Sequence, residues 1–376
     1  SILSLYLSAF HFFVVTLRPK FIISFMIGVD LFSGAGGLSL GAEMAGVNIK
    51  YAVEYDKYAA ETYAHNHKNI PIFVEDIRLL SELPSHLYNN HKAKVLMGGP
   101  PCQGFSLSNL KTRNKENENN WLFKEFIRIT KLWMPDWIVL ENVSGILKTE
   151  EGFFWEQIIN EFEKIGYTIS FKLLYATDYG VPQKRHRVFL IGSLHGIQYE
   201  FPPIEQNQIA VTVADAISDL PSLPNGANFE KLEYKNNPTS SYARLLRGAS
   251  KFSTNNFVTK NSELTIKRYS FIPQGGNWEN IPKELMANYK DCSRCHTGIY
   301  HRLEANKPST VIGNYRKNML IHPWEDRGLS VREAARIQSF PDSFEFKGSI
   351  GFQQQQVGNA VPPLLAKIVF DKLLSY

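Results

Sequence analysis

The sequence predicts an α/β protein in which a doubly wound sheet of parallel strands is interrupted by a smaller, loop-rich domain. Three observations lead to this fold class. Short apolar segments alternate with helical patterns through the first half of the chain, which is typical of strands joined by helical crossovers. A glycine-rich turn follows the first of these strands. From about residue 194 to residue 327 the alternation stops, and Asn, Pro, Gly and Tyr become frequent.

The individual elements follow from apolar periodicity, taken in chain order. The segment 137–140 is almost entirely apolar, which indicates a strand buried on both faces. The last apolar helix is expected to pack back on the sheet beside the first strand, so that residues 345–376 complete the domain that begins at residue 26. Strands are predicted at 27–32, 49–53, 71–74, 95–97, 137–140 and 187–191, and helices from about residue 37 and over 57–67, 121–132, 330–338 and 362–374.

The composition describes a globular protein with room for one large domain and one smaller domain. The chain has 376 residues, of which 44% are hydrophobic and 20% are charged, and its net charge is +5. This mild basicity permits a nucleic-acid partner without requiring one. Three cysteines argue against a disulfide framework and are typical of a reducing cytoplasm.

Residues 1–25 are apolar and could be mistaken for a membrane span or a signal peptide. The first apolar run is shorter than the roughly 20 residues that a spanning helix needs, and Arg18 and Lys20 follow it. A secretory signal has its positive charge before the apolar run and a small-residue cleavage site after it, and neither is evident here. We therefore expect an N-terminal extension outside the working fold, and no membrane association.

The segment VDLFSGAGGLSLG, residues 29–41, has a glycine-rich turn between a strand and a helix. Glycine lets the backbone approach a ligand closely, so the segment predicts a cradle for a nucleotide-like cofactor. Glu54 follows the second strand, where a carboxylate that binds ribose is expected. Ser39 replaces the third glycine of the dinucleotide pattern, which disfavours a dinucleotide. S-adenosylmethionine has no phosphate but needs the same close approach and the same ribose acid.

The segment GGPPCQGFS, residues 98–106, has Cys102 in a turn rather than in an apolar strand or helix. A structural cysteine more often lies in the core, so this position favours a reactive thiol. The polar segment 107–120 follows directly. It is either a solvated linker or a mobile lid that brings Lys111 and Arg113 to phosphates, and its position beside a candidate nucleophile favours the lid.

Three further motifs follow, namely ENVSG at 141–145, QKRHRVFLIG at 183–192 and QQVGNAVPP at 355–363. The five motifs in this order resemble those of the DNA (cytosine-5)-methyltransferase family, and most closely the bacterial modification enzymes. The resemblance covers the chain from residue 26 onward except for the middle region. It implies that residues 26–193 form a Rossmann-like, S-adenosylmethionine-dependent methyltransferase domain. The chemistry requires a cytosine that is flipped out of the duplex.

The resemblance gives roles to four catalytic residues. Cys102 is the nucleophile that adds to C6 of cytosine, and Glu141 is the acid that relieves the charge developing at N3. Arg187 holds the base oxygen and orients Glu141, while Arg185 steadies the site and its backbone. The competing interpretations are an inert turn cysteine, a helix-capping glutamate and a solvated basic run at 184–187, and the surrounding motifs disfavour each of them.

The resemblance also implies the residues that bind the cofactor and the DNA. The residues expected to bind S-adenosyl-L-methionine are Phe32, Gly34, Gly36, Gly37, Glu54, Tyr55, Asp76, Ile77, Pro101, Leu122, Asn359 and Ala360. The residues expected to contact DNA are Gln103, Ser106, Lys111, Arg113, Gln183, Arg294, Arg302 and Arg316.

The middle region, residues 194–327, is expected to be the target-recognition domain, because Arg, Lys, His and Tyr among turn residues suit base-edge and phosphate contacts. Residues 328–344 are expected to form a hinge beneath it, organised by Arg332, Glu333 and Arg336. The expected partners are double-stranded DNA and a cognate restriction endonuclease. The protein is expected to act as a cytoplasmic monomer encoded by a bacterium or a phage.

Other functions remain open at this point. An RNA-directed relative shares the catalytic motifs, but that branch usually carries a Cys-Phe-Thr tripeptide, which this sequence lacks. The intact catalytic residues disfavour a silent DNA-binding homologue, and Ser39 disfavours a nicotinamide oxidoreductase. No metal is predicted, because the chain has no second Cys pair and no sign of the export that haem attachment requires; the cluster considered was Cys292, Cys295, His296 and His301.

Overall fold

The structure is a computed structural model that describes residues 26–89, 92–101, 121–205, 209–287, 298–313, 315, 317 and 319–376. The expected N-terminal extension, residues 1–25, lies outside the described residues.

Seven strands form one sheet in the order β3-β2-β1-β4-β5-β7-β6. The first five strands pair in parallel, as the alternation of strands and helices predicts. Every residue of β1 and of β5 is buried, because helices cover both faces of the sheet. The strands are β1 (Met26–Leu31), β2 (Asn48–Val53), β3 (Ile72–Phe73), β4 (Ala93–Gly98), β5 (Trp137–Asn142), β6 (Thr168–Tyr175) and β7 (His186–Ser193).

Strand β7 runs antiparallel to both of its neighbours, β5 and β6, whereas the sequence predicts parallel strands throughout. Only residues 176–185 connect β6 to β7. A connection of this length suits an antiparallel return, because parallel strands need a longer crossover. The reversal brings the start of β7 to the edge of the sheet where β4 and β5 end, since Val188 pairs with Asn142.

Strands β1 and β4 lie where the strand order changes direction. From β1 the chain turns to β2 on one side, and from β4 it continues toward β5 on the other side. In open α/β sheets the loops that leave such neighbouring strands diverge and open a crevice beyond the carboxyl ends. Leu31 pairs with Gly98. The glycine-rich turn after Leu31 and the segment Gly99–Pro101 after β4 therefore begin side by side.

The helices of the described chain cover the two faces of the sheet with separate apolar cores. One core joins the first helix, α1, to the C-terminal helices, and the other joins α3 to α4. No helix in this part of the chain is long and apolar enough to cross a membrane. The helices are α1 (Gly37–Ala45), α2 (Lys57–Asn66), α3 (Phe123–Trp133), α4 (Phe153–Ile165), α5 (Val213–Ile217), α6 (Ser241–Arg247), α7 (Glu263–Tyr269), α8 (Val331–Ile337), α9 (Ile350–Asn359) and α10 (Pro363–Leu373).

The C-terminal helix α10 packs directly on α1, which begins at the glycine-rich turn. Two glycines of α1 make this close approach possible. A Cβ atom on Gly37 would lie 2.4 Å from the carbonyl oxygen of Val361, and one on Gly41 would lie 2.4 Å from the Cβ atom of Ala366. The last segment of the chain is thus fixed against the first helix of the sheet domain.

The middle region, residues 194–327, contains short helices and the antiparallel pair β8 (Asn228–Glu233) and β9 (Phe252–Phe257) among long connections. Its first part shares the apolar core of α1, α8 and α10, through side chains such as Ile217. Its later part has a small core of its own around Tyr269 and Tyr300.

Helix α8 joins this region to the sheet domain through two fully buried arginines. Arg336 donates to the Asp342 carboxylate at 2.5 Å and to the Asp219 carboxylate at 3.2 Å. Arg332 donates to the carbonyl oxygens of Thr254 and Phe344. The segment that the sequence predicts as a hinge is therefore held by buried, charge-assisted bonds to the first part of the middle region.

Candidate active site

Glu141 lies at the carboxyl end of β5, and only 7% of its surface is exposed. Its Oε1 atom is 2.8 Å from Nε of Arg187, which lies in the antiparallel strand β7. Burial raises the pKa of the Glu141 carboxyl above its ordinary value, although the charges of Arg187 and Arg185 act in the opposite direction. The site therefore holds a carboxyl group that keeps its proton more readily than an exposed glutamate does.

The segment that leads to Cys102 lies directly against this carboxyl group. A Cβ atom on Gly99 would be 2.8 Å from Oε2 of Glu141, so only glycine leaves room for the contact. Asn142, the next residue of β5, donates from Nδ2 to the carbonyl oxygen of Pro100 at 3.3 Å. The two residues at the end of β5 thus contact the backbone at Gly99 and Pro100. Cys102 itself lies outside the described residues.

Arg185 is completely buried, and only part of its guanidinium group has protein partners. Its Nη2 atom donates to the carbonyl oxygens of Gly358, at 3.0 Å, and Asn359, at 3.4 Å, which end α9. No partner of Nε or Nη1 is found within the described part of the chain. Burial, followed by the charge of Arg187, lowers the pKa of Arg185. The guanidinium group thus connects the start of β7 to the segment carrying Asn359 and has donors left for an acceptor outside the described residues.

The glycine-rich turn contains positive φ angles, which residues other than glycine rarely adopt. Phe32 has a φ of 59°, which is a genuine outlier for an aromatic residue, and Gly34 and Gly36 also have positive φ. Glu54, after β2, accepts the backbone N–H of Gly34 and of Asp56, each at 2.7 Å. Burial raises the pKa of Glu54, against the lowering effect of these two bonds. A carboxylate accepts about four hydrogen bonds, so Glu54 retains capacity for a ligand hydroxyl.

The structure gives the positions of several other residues that were predicted to bind the cofactor. Ala360 lies against the turn, since its Cβ atom is 3.4 Å from the position of a Cβ atom on Gly37. Asp76 begins the turn that contains Ile77, and its hydrogen bonds with Arg78 lower its pKa. Tyr55 is 75% exposed. Leu122 immediately precedes α3.

Two predicted DNA contacts do not fit the structure. Gln183 is completely buried: its Nε2 donates to Oε1 of Gln338, and its Oε1 accepts the N–H of Ile312 at 3.1 Å. Arg302 is buried and uses every guanidinium N–H within the middle region, including a bond to Asp326 at 2.5 Å. Neither side chain has a donor directed to solvent, so both stabilise the fold instead.

The remaining predicted DNA contacts lie outside the described residues, and they are Gln103, Ser106, Lys111, Arg113, Arg294 and Arg316. Of the four residues that were considered as zinc ligands and rejected, His301 alone is described. Within the described ranges, no group of three or more potential metal ligands is found.

A buried polar cluster that was not predicted from the sequence lies behind the glycine-rich turn. Asp30, in β1, has no exposed surface, and its Oδ2 accepts the hydroxyl of Ser39 at 2.7 Å. The Ser39 hydroxyl also bonds the Tyr63 hydroxyl at 2.8 Å. The signal in the sequence was an acidic residue inside an otherwise apolar buried strand, together with the serine at the place of a glycine.

This geometry agrees with the comparison with known proteins. The family model for C-5 cytosine-specific DNA methylases matches residues 26–375. Type II methyltransferase M1.HphI of Haemophilus parahaemolyticus is 37% identical over 92% of this chain and 86% of its own length. Type II methyltransferase M.DdeI of Desulfomicrobium norvegicum is 35% identical over 93% of this chain and 88% of its own length.

Solved structures share the fold. An E. coli prophage protein assigned as a DNA modification methyltransferase is 27% identical, with a TM-score of 0.75 over 93% of this chain and 99% of that one. The Entamoeba histolytica methyltransferase EhMeth, at 16% identity and a TM-score of 0.60, has a similar fold over 93% of this chain and 98% of its own. Because the family model spans almost the whole chain, the protein belongs to the C-5 cytosine-specific DNA methylases.

Proposed function

We propose that this enzyme transfers a methyl group from S-adenosylmethionine to C5 of a cytosine within a specific sequence of double-stranded DNA. The observation that carries the proposal is the contact between the Glu141–Arg187 pair and the segment that ends one residue before Cys102. The pair and this segment lie at the carboxyl edge of the sheet, where α/β enzymes bind their substrates, and Cys102 is the next residue in the sequence.

Cys102 supplies the nucleophile in this proposal. Its thiolate forms a bond to C6 of cytosine, which makes C5 nucleophilic enough to accept a methyl group. S-adenosylmethionine, when bound, supplies that methyl group as an electrophile on a sulfonium sulfur. Loss of the C5 proton then expels the Cys102 sulfur from C6 and restores the aromatic ring.

Glu141 and Arg187 stabilise the base while the thiolate adds. Glu141 donates its proton to N3, and burial favours the protonated carboxyl that this step requires. Arg187 holds Glu141 through Nε and donates from Nη1 to the carbonyl oxygen of His186 at 2.7 Å. Its Nη2 is then the group that binds the exocyclic oxygen of cytosine. Nε and Nη1 of Arg185, which have no partner among the described residues, are suited to a second acceptor on the same nucleotide.

The glycine-rich turn fits S-adenosylmethionine. Apart from Gly34 and its chain neighbours, no atom of the described residues lies within 4 Å of a Cβ position on Gly34, so this part of the chain leaves open space for a ligand there. Glu54 has acceptor capacity for the ribose hydroxyls, and Ala360, which follows Asn359 at the end of α9, lies against Gly37. We propose that these residues hold the cofactor together with Phe32, Gly36, Asp76, Ile77, Pro101 and Leu122.

The target cytosine must leave the base stack, because a thiolate reaches C6 only from above the plane of the ring. We propose that Lys111, Arg113, Arg294 and Arg316 bind the DNA, which agrees with the positive net charge. We further propose that the enzyme acts as a monomer in bacterial or phage-encoded restriction–modification beside a cognate endonuclease. The type II methyltransferases among its relatives support this setting.

Sequencing of modified cytosines tests the proposed function. The full chain is expressed in bacteria that lack cytosine methylation, and plasmid DNA and transfer RNA are both analysed by bisulfite conversion. We expect protected cytosines within one short DNA sequence, and none with the variant Cys102→Ser. Protection in transfer RNA alone would show that the RNA-directed alternative is correct. Protection in neither would contradict the proposal.

A further inference from the structure

We propose that Asp30, Ser39, Glu43, Tyr63 and His67 form a turn support, which holds the glycine-rich turn in its cofactor-binding shape without touching the cofactor. The inference rests on the proposed function, because it assigns positioning residues to the same S-adenosylmethionine site. None of the five side chains has a role in the chemistry proposed above.

The first part of the turn support closes the turn at its base. Asp30 is the penultimate residue of β1, and Ser39 is the third residue of α1, so the bond between them joins the elements before and after the turn. The Tyr63 hydroxyl bonds Ser39 from α2 at 2.8 Å. Three elements that surround the turn are thus connected through one serine hydroxyl, in a region without exposed surface.

The second part forms a wall behind Gly36. A Cβ atom at Gly36 would lie 2.2 Å from Nε2 of His67 and 2.9 Å from the Tyr63 ring. The two rings stack with their centroids 4.2 Å apart. Nδ1 of His67 bonds the Glu43 carboxylate of α1 at 2.6 Å, which fixes the ring. The backbone at Gly36 therefore cannot move backward unless α2 moves with it.

The turn needs such a support because its backbone is strained. A left-handed aromatic residue persists only when its surroundings determine its conformation, and Phe32 begins this turn. Glu54 holds the N–H of Gly34 on one side. The turn support acts from the other side, so the turn is confined between α2 and the ribose acid. Loosening the support should cost cofactor affinity, since the binding conformation would no longer be preformed.

The variant Tyr63→Phe tests the inference, because it removes the hydroxyl and keeps the ring. Tyr58→Phe is the matched control on the same helix, since the Tyr58 ring stacks on Phe352, at 4.0 Å between centroids. Titration calorimetry with S-adenosylmethionine and steady-state kinetics are carried out on the full chain. We expect Tyr63→Phe to raise the Kd and KM for S-adenosylmethionine roughly three- to tenfold, the value of one hydrogen bond. Tyr58→Phe should stay within about twofold of wild type.

Comparison of kcat with the two KM values distinguishes an effect on the cofactor site from a general destabilisation of the protein. In Tyr63→Phe, kcat and the KM for DNA should stay within about twofold of wild type. The double variant Ser39→Ala/Tyr63→Phe should bind the cofactor no more weakly than Ser39→Ala alone, because Tyr63 acts through Ser39. A wild-type Kd in Tyr63→Phe, or an equal rise in the KM for DNA, would overturn the inference. Failure of the wild-type protein itself to bind S-adenosylmethionine would instead overturn the proposed function.

Discussion

At the scale of single residues, two opposing effects set the pKa of Glu141 and therefore its ability to act as an acid. Burial favours the neutral carboxyl, and the guanidinium of Arg187 at 2.8 Å favours the carboxylate. Because burial has the larger effect, the pKa of Glu141 lies above its ordinary value, and the general-acid step should slow as the pH rises through that pKa.

Glu141→Gln should lower the single-turnover rate of methyl transfer by roughly 10² to 10⁴, because the amide has no acidic proton for N3. Binding of S-adenosylmethionine should change little. Asp136→Asn is the matched control, because Asp136 lies at the other end of β5, where it accepts the N–H of Lys94 at 2.7 Å. A rate within twofold of wild type in Glu141→Gln would show that the glutamate is only structural.

Asp30→Asn tests the buried carboxyl of the turn support through its pH dependence. Burial, together with the nearby Glu54 and Glu43 and against the Ser39 bond, raises the pKa of Asp30 from 3.8 to about 8. Tyr63 is the remaining titratable group in this chain of hydrogen bonds. Between the ordinary pKa of 3.8 and the raised pKa of about 8, Asp30 binds a proton in the folded protein but not in the unfolded chain. The stability of the fold therefore falls as the pH rises through this range.

Asn resembles the protonated acid and cannot ionise. The stability of Asp30→Asn relative to wild type should therefore increase from pH 5 to pH 8, by up to about 1.4 kcal/mol per pH unit. Urea unfolding at several pH values measures the difference. Parallel pH curves for the two proteins would show that Asp30 does not titrate in this range.

The residues with proposed catalytic roles could be predicted, because they belong to recognisable sequence motifs. The side chains that surround them in the structure could not be predicted. Glu141 follows a buried strand in the sequence, and its position at the sheet edge could be inferred from that. Gln183 and Arg302 belong to polar segments that look exposed in the sequence. Their burial depends on partners such as Gln338 and Asp326, which are distant along the chain or come from loops without a periodic pattern.

At the scale of elements, the contact between α1 and α10 brings the end of the chain to the helix that follows the glycine-rich turn. Gly41→Ala should lower the free energy of unfolding by about 1–3 kcal/mol, because the new methyl group would meet Ala366 and the carbonyl oxygen of Pro363. Gly328→Ala is the control, since its nearest neighbour would be 3.7 Å away. Thermal unfolding compares the two. Equal midpoints would mean that α10 does not pack on α1 as closely as described.

Helices and strands could be predicted where the apolar periodicity is strong. The prediction failed for elements that are stabilised by other interactions. Helix α9 was not predicted, because its sequence IGFQQQQVGN has no apolar stripe. Its buried glutamines bond other segments instead, as Gln356 does with Thr62 and Lys347. The antiparallel direction of β7 depends on the short connection from β6, and neither α4 nor β6 was among the predicted elements.

At the scale of the whole molecule, the middle region is joined to the sheet domain in two different ways. Its first part supplies buried partners to α8: Asp219 to Arg336, and Thr254 to Arg332. Described residues between α7 and residue 301, such as Tyr269 and Tyr300, pack in a separate small core. The predicted domain boundary at residue 194 lies where the amino-acid composition changes. The packing changes further along the chain.

Exchange of segments with a relative of different specificity tests this division. A hybrid that receives residues 262–301 of the relative should remain folded and methylate the relative's DNA sequence. A hybrid that receives residues 194–327 should be less stable, because it separates Arg332 and Arg336 from their buried partners. Melting curves and bisulfite sequencing report both properties. An active 262–301 hybrid that keeps the original DNA sequence would show that recognition lies elsewhere.

The central claim is that Cys102 forms a covalent bond to C6 of the target cytosine. It is tested most directly with duplex DNA in which every cytosine is replaced by 5-fluorocytosine, so that the recognised sequence need not be known. After methyl transfer the sulfur can leave only if C5 loses its substituent as a cation, which a proton can do and fluorine cannot. We predict a complex that survives denaturing electrophoresis, requires S-adenosylmethionine, and gives a methylated cytosine adduct on Cys102 by mass spectrometry. The account would be contradicted if a preparation that methylates ordinary DNA formed no such complex, or if the adduct were on Cys292 or Cys295.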